Sequence, residues 1–199
     1  MAIVVVGGNG KDVGKTSVVC AVIAALREFE WTAVKITGHD YGPSAFDGGR
    51  FSNQTIREEG RADEDTDTAK YLAAGARRAL LVMRSGAEVP IAEIRRAVGR
   101  DRTVIFESNR IVDSVRPDVC IAVVGGMERK ASFVRLLRTA NAVVMVGGSK
   151  ADDLPSGVPQ FELEAPDRLS AEMVVWLREQ LIKNRPARAS EDEGELSGK

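Results

Sequence analysis

The chain has 199 residues, 44% of them apolar and 29% charged, with a net charge of −1. That length suits one domain with a sizeable core, and the near-neutral charge argues against general binding to nucleic acid or an anionic membrane. A single histidine, His39, and two cysteines leave no zinc pattern.

Apolar runs alternate with helical patterns along the chain, which implies an α/β fold with a mainly parallel sheet covered by helices. A strand is expected over residues 2–6, then a helix over 15–29 that buries Val18, Val19, Val22, Ile23 and Leu26 at helical spacing. A second strand spans 32–37, and a polar, glycine-rich loop covers 41–65, a length usually tied to function. A helix at 67–75 follows, then a strand at 79–83, a helix at 90–98 and a strand at 103–106. Further on, strands at 119–124 and 142–146 flank a helix at 129–139. A short strand at 160–163 and a helix at 168–182 close a sheet of about seven strands. Residues 1–183 read as one domain, and 184–199 as an acidic, disordered tail. Cys20 and Cys120 lie in apolar runs and read as buried thiols, which suits a reducing cytoplasm. The first apolar run is short and leads straight into a glycine-rich turn, so it reads as a core strand and not a signal peptide. No apolar run is long enough to span a bilayer.

The turn that follows, Gly8-Asn9-Gly10-Lys11-Asp12-Val13-Gly14-Lys15-Thr16-Ser17, has the order a phosphate cradle needs. Glycines let backbone N–H groups crowd around phosphate oxygens, and the helix N-terminus adds about half a positive charge. Lys15 can reach β- and γ-phosphates, and the Thr16 hydroxyl can ligate Mg²⁺. The spacing is not that of a strict P-loop, because Asn9 occupies the place of the first glycine and Gly8 lies one residue early. A dinucleotide-binding loop fits less well: the third glycine falls at Gly14, one residue late. Lys35 stands where an acid would hold an NAD ribose, and only a 2′-phosphate would suit that cation.

In open α/β sheets, ligands sit beyond the carboxyl ends of the strands, so the residues there are the informative ones. Glu107 emerges from Val104-Ile105-Phe106 and can act on Mg²⁺ through water or orient an attacking water, unless it is an ordinary strand-end carboxylate. Lys35, among apolar strand residues, either meets an anion in the cleft or snorkels to solvent. Asp40, Asp65 and Asp67 are candidates to complete a metal shell, Asp40 foremost, and His39 is a candidate phosphate contact or acid–base group. Ser149-Lys150-Ala151-Asp152 resembles the guanine-reading Asn/Thr-Lys-x-Asp motif, in which Asp152 would accept from the base; the alternative is a polar loop.

Taken together, these residues resemble the SIMIBI class of P-loop proteins, and most closely the molybdopterin-guanine dinucleotide biosynthesis adaptors of the MobB type. The resemblance runs through the loop, Val34-Lys35-Ile36-Thr37-Gly38-His39, Asp67-Thr68-Ala69-Lys70-Tyr71-Leu72-Ala73-Ala74-Gly75-Ala76 and Glu107. It implies a three-layer P-loop NTPase fold with a doubly wound sheet. It also implies Mg²⁺ with GTP or ATP, slow hydrolysis, a partner enzyme of cofactor assembly and a cytoplasmic setting. The loop itself is similar to that of dethiobiotin synthetases, which also use a lysine on strand two and a glutamate near Glu107. That similarity implies an ATP-dependent ligase or kinase with Lys15, Lys35 and Glu107 as its catalytic residues. A third reading is a switch in which nucleotide controls homodimerisation; Lys11 lies one residue off the extra lysine of such proteins.

Overall fold

Among the described residues, nine strands form one sheet in the order β3-β4-β2-β5-β1-β6-β7-β8-β9. In chain order they are β1 (Ala2–Gly8), β2 (Thr32–Thr37), β3 (Ile56–Glu58), β4 (Arg78–Met83), β5 (Thr103–Glu107), β6 (Val119–Val124), β7 (Ala142–Met145), β8 (Gln160–Ala165) and β9 (Arg168–Leu169). The α-helices among the described residues are α1 (Lys15–Ala25), α2 (Asp67–Ala74), α3 (Ile91–Val98), α4 (Ala131–Thr139) and α5 (Ala171–Lys183). The structure is a computed structural model that describes residues 1–38, 56–63, 65–84, 88–126, 128–149, 154–165 and 168–184.

The strands from β4 to β8 pair in parallel, while β3 and β9 add antiparallel edges. Period-two alternation divides each central strand between two cores. Val4, Val6, Ile121 and Val123 face the cluster of α1, α2 and α5, which includes Val18, Ile23, Tyr71 and Leu177. Val5, Cys120, Ala122 and Val124 face the opposite cluster, with Ile94 and Val98 of α3 and Phe133 and Leu136 of α4. Burial on both faces explains why these strands read as continuous apolar runs.

Helix α1 is the most enclosed of the five. Val18, Val19, Val22, Ile23 and Leu26 are all fully buried, and each such side chain contributes about 1.5–3 kcal/mol relative to exposure. The helix ends at Ala25, short of the expected Phe29, because Leu26 leaves helical geometry and a 3₁₀ turn spans Arg27–Phe29. The Trp31 indole N–H donates to the Leu26 carbonyl at 2.7 Å, which satisfies that terminus.

The sheet has two more strands than expected. β3 lies inside the span read as loop 41–65; at three residues it is too short for alternation to show, and it forms by pairing with β4. β9 occupies the start of the expected last helix, because the Ser170 hydroxyl caps α5 by accepting from Met173 N–H at 3.2 Å. Most of the expected tail, from residue 185 on, lies outside the described residues. Among the described residues no helix is long and apolar enough to cross a membrane.

Candidate functional site

The glycine-rich turn leaves β1 between β5 and β6 and re-enters the fold as α1. Two asparagines fasten it. Asn109, just past β5, accepts from Gly8 N–H at 2.7 Å and donates to Gly8 carbonyl at 2.9 Å and to Ser132 Oγ at 3.2 Å. Asn9 turns inward, only 2% exposed, and its Oδ1 accepts from Gly125 N–H at 3.0 Å. The Asn9 backbone N–H is itself spent on the Val123 carbonyl at 3.1 Å. Asn9 therefore ties the loop to the end of β6, and its side chain does not line the cleft; that of Val13 is likewise buried.

The rest of the loop has the shape of an anion cradle. Gly14 caps α1 with φ +92°, a left-handed conformation in which any side chain is strained. A Cβ at Gly8 would come within 2.7 Å of Val13 Cγ2 and 2.8 Å of Lys15 Cγ. α1 has no side-chain cap and no acid in its first turn, so the N–H groups of its first residues face the cleft with only the dipole behind them. α2 and α5, by contrast, are closed by Thr66 and Ser170. Lys15 Nζ folds over the loop and donates to Gly10 carbonyl at 2.8 Å. Burial pulls its ammonium below the ordinary lysine value; Glu107 opposes this, while Lys35 and Lys130 reinforce it.

A carboxylate forms the floor. Glu107, 2% exposed at the end of β5, accepts from Thr16 Oγ1 at 2.9 Å through Oε2. The same oxygen accepts the Tyr71 hydroxyl, and Oε1 accepts Lys35 Nζ. Lys35 Nζ also lies 2.8 Å from Asp67 Oδ2. Parallel register explains the meeting, since Lys35 of β2 stands opposite Glu107 of β5 while Thr16 begins α1 and Tyr71 lies on α2. Burial pulls the Lys35 pKa down, but Glu107 and Asp67 outweigh it and hold it above the usual value. Burial, then Glu107, keep the Tyr71 hydroxyl protonated well above its usual range.

An open cleft of about 670 Å³ runs from the loop across the ends of β2, β4 and β5. Gly8, Gly10, Lys11, Asp12, Gly14, Lys15, Thr16, Ser17, Lys35 and Glu107 from the sequence reading all line it. So does Asp67, a candidate from the sequence, and so do Asn109, Arg84, Arg110 and Lys130, none of which stands in a recognisable motif. Ser149, after β7, is not among the lining residues; its hydroxyl donates to Val146 carbonyl at 2.7 Å and accepts from Gly126 N–H at 3.0 Å. Asp65 is on the surface, paired with Lys70 at 2.8 Å. His39, Asp40, Lys150 and Asp152 lie outside the described residues. Among the described residues no group of three or more histidine, cysteine or carboxylate side chains gathers as a metal cage.

No protein-family model and no curated protein matches the chain. Solved structures share its fold. HypB from Helicobacter pylori, in complex with nickel, superposes with a TM-score of 0.54 at 13% identity, over 95% of this chain and 91% of that one. LpxK from Aquifex aeolicus, in complex with ATP, gives 0.51 at 16% identity over 81% of this chain. The chain spans about half of LpxK, 53% of its length. MobB from Bacillus subtilis superposes more loosely, at 0.46 with 17% identity, over 91% of this chain and 98% of that one. The protein has the α/β P-loop NTPase fold, with a mostly parallel sheet between helical layers.

Proposed function

We propose that the chain binds a nucleoside triphosphate, GTP or ATP, with Mg²⁺ at residues 8–17, and hydrolyses it slowly as an adaptor in molybdenum cofactor assembly. The observation that carries the nucleotide reading is the convergence of an uncapped helix start, a glycine cradle, Lys15, and Thr16 bonded to a buried carboxylate. The adaptor role rests on the MobB-type sequence resemblance, which also suggests a partner enzyme, a homodimer and a cytoplasmic setting.

In this reading the first amides of α1 bind phosphate oxygens, and Lys15 exchanges the Gly10 carbonyl for a phosphate. Both Glu107 oxygens are already committed to protein donors. Glu107 therefore acts on the ion mainly by orienting the Thr16 hydroxyl, whose lone pairs remain open to a cation, or through water. Lys11, Asp12 and Ser17 edge the phosphate site, and Asp40 would complete the metal shell. Mg²⁺ held there would supply positive charge that neutralises the charge developing on the phosphates. Residues 149–152 are the base-side candidates, on their resemblance to the guanine-reading motif.

Calorimetry tests this directly. Lys15→Ala should abolish tight triphosphate binding in a protein that still folds; undiminished binding refutes the assignment. A kinase or ligase reading is favoured by one feature, the extension of the cleft well beyond the loop to the ends of β2 and β4. Nucleotide turnover that rises steeply with a small acidic co-substrate, with no protein partner added, would select it.

A further inference from the structure

Three backbone N–H groups of the loop are taken by the protein itself: Gly8 by Asn109 Oδ1, Asn9 by the Val123 carbonyl, and Lys11 by Glu128 Oε2 at 3.3 Å. The first two fasten the loop to β6 and to the turn after β5. The third matters for what stands at the other end of the same peptide unit. The Gly10–Lys11 peptide is trans and planar, so its C=O and N–H point in opposite directions. The carbonyl accepts from Lys15 Nζ at 2.8 Å, while the N–H donates to Glu128 on the other side. One neutral peptide thus stands between an ammonium and a carboxylate. Each strengthens the hold of the other, because polarising an amide at one end sharpens the hydrogen bond at both.

Glu128 is delivered to that position by the backbone. The segment after β6 is tied to the loop on either side of it: Gly125 N–H donates to Asn9 Oδ1 at 3.0 Å, and Lys130 N–H to the Asn9 carbonyl at 2.9 Å. Gly10 leaves the room the carboxylate needs, since a Cβ there would stand 2.8 Å from Oε2 and 3.4 Å from Glu128 Cβ. Among the described residues the Gly10 carbonyl is the one hydrogen-bond acceptor of Lys15 Nζ. A phosphate that takes Lys15 must draw it from this carbonyl.

We propose that Glu128 regulates the nucleotide site from within: through the Gly10–Lys11 peptide it holds Lys15 on the backbone of the loop, in competition with the β- and γ-phosphates. A contact that is given up to a ligand opposes that ligand by its own free energy. The carboxylate also sets a negative charge beside a site for a polyanion, so both effects act in the same direction. The role rests on the nucleotide reading, which supplies the phosphates; the grip on the peptide does not.

Calorimetry with Mg²⁺ and GTP or ATP, on the full chain, reads the competition. Glu128→Ala should bind the triphosphate about fivefold more tightly than wild type, the return from removing one modest hydrogen bond. Glu128→Gln keeps an acceptor for the Lys11 N–H but loses the charge, and should fall between the two. NMR without nucleotide reads the peptide itself. The Lys11 amide proton should move upfield in Glu128→Ala and, by less, in Lys15→Ala, whose link to it runs through the Gly10 carbonyl. Because Glu128 is exposed, its variants should melt within about 2 °C of wild type. Triphosphate binding unchanged or weakened in Glu128→Ala, a Lys11 amide indifferent to Glu128 or to Lys15, or a larger fall in melting temperature would each overturn the proposal. Failure of the nucleotide reading is distinct: neither triphosphate would give heat with the wild-type chain, yet the Lys11 amide would still answer to both substitutions.

Discussion

Replacing Glu107 by glutamine tests the floor of the cleft at nearly constant volume. The carboxylate accepts from Thr16, Tyr71 and Lys35, so its conversion to an amide removes one charge and sets an N–H₂ group against donors. With the amide oxygen turned to Lys35, the N–H₂ faces two hydroxyls that must both rotate to accept. Lys35 then keeps Asp67 alone, which is 35% exposed. Breaking a buried pair by removing one partner costs about 3–5 kcal/mol. The surviving Asp67 contact and the 16% exposure of Lys35 place this case at the low end, about 3 kcal/mol. In urea, with a slope of about 2 kcal/mol per molar, the unfolding midpoint should fall by about 1.5 M while the slope stays unchanged. A drop of less than about 0.5 M would refute the reasoning, because it would mean that Glu107 is not the acceptor that keeps Lys35 and Tyr71 buried. Lys35→Met combined with Glu107→Gln should recover part of the loss, since the stranded cation is then gone.

Other expectations follow from the same geometry. Lys15 is charged and penalised by burial in the free protein, so Lys15→Ala should melt at or above the wild-type temperature; a fall of several degrees would show that its bond to Gly10 is structural. Wild-type protein at a triphosphate concentration a hundred times Kd should gain about 2.7 kcal/mol, hence about 5–11 °C in Tm for a chain of this size, and Lys15→Ala should gain none. Asp12 sits at φ +54°, so Asp12→Gly should stabilise the free protein by about 1 kcal/mol by relieving left-handed strain; denaturant titration showing destabilisation would contradict this. The Lys35 pKa is raised on folding, so its contribution is complete below the unfolded value of about 10.4 and fades as pH climbs through the folded one. Stability between pH 7 and 9 should therefore be insensitive to Lys35, and a Lys35-dependent loss in that window would count against the triad. Burial pushes the thiols of Cys20 and Cys120 up to about 11 and about 12. Both should resist a thiol reagent at pH 8 until the protein is unfolded, and rapid labelling of the native chain would contradict their placement.

The central strands and the loop were legible because one mechanism controls each of them. Residues 119–124 are apolar at every position because both faces are covered, and Gly14-Lys15-Thr16 declares a backbone that must approach an anion. The edges were not legible. β3 exists only because β4 offers a free edge, and no local pattern of three residues encodes that. Lys35 and Glu107 were found by their incongruity, as charged residues at the ends of apolar strands. Tyr71 was invisible as a site residue, because an aromatic residue on a helix reads as core, which most of its ring is. Asn109 and Arg110 lie in a short turn after β5, and only the fold shows the first reaching Gly8 and the second lining the cleft.

One oxygen atom joins two parts of the fold that are otherwise remote in sequence. Oε2 of Glu107 receives the hydroxyl of Thr16 at the head of α1 and that of Tyr71 on α2, and an sp² carboxylate oxygen has two lone pairs to give. Whatever draws the Thr16 proton away leaves the Tyr71 hydroxyl as sole claimant, and tightens it. Whatever shifts α2 does the reverse at the loop. A single acceptor thus joins the most enclosed helix of the fold to a helix whose first residue, Asp67, stands at the rim of the cleft.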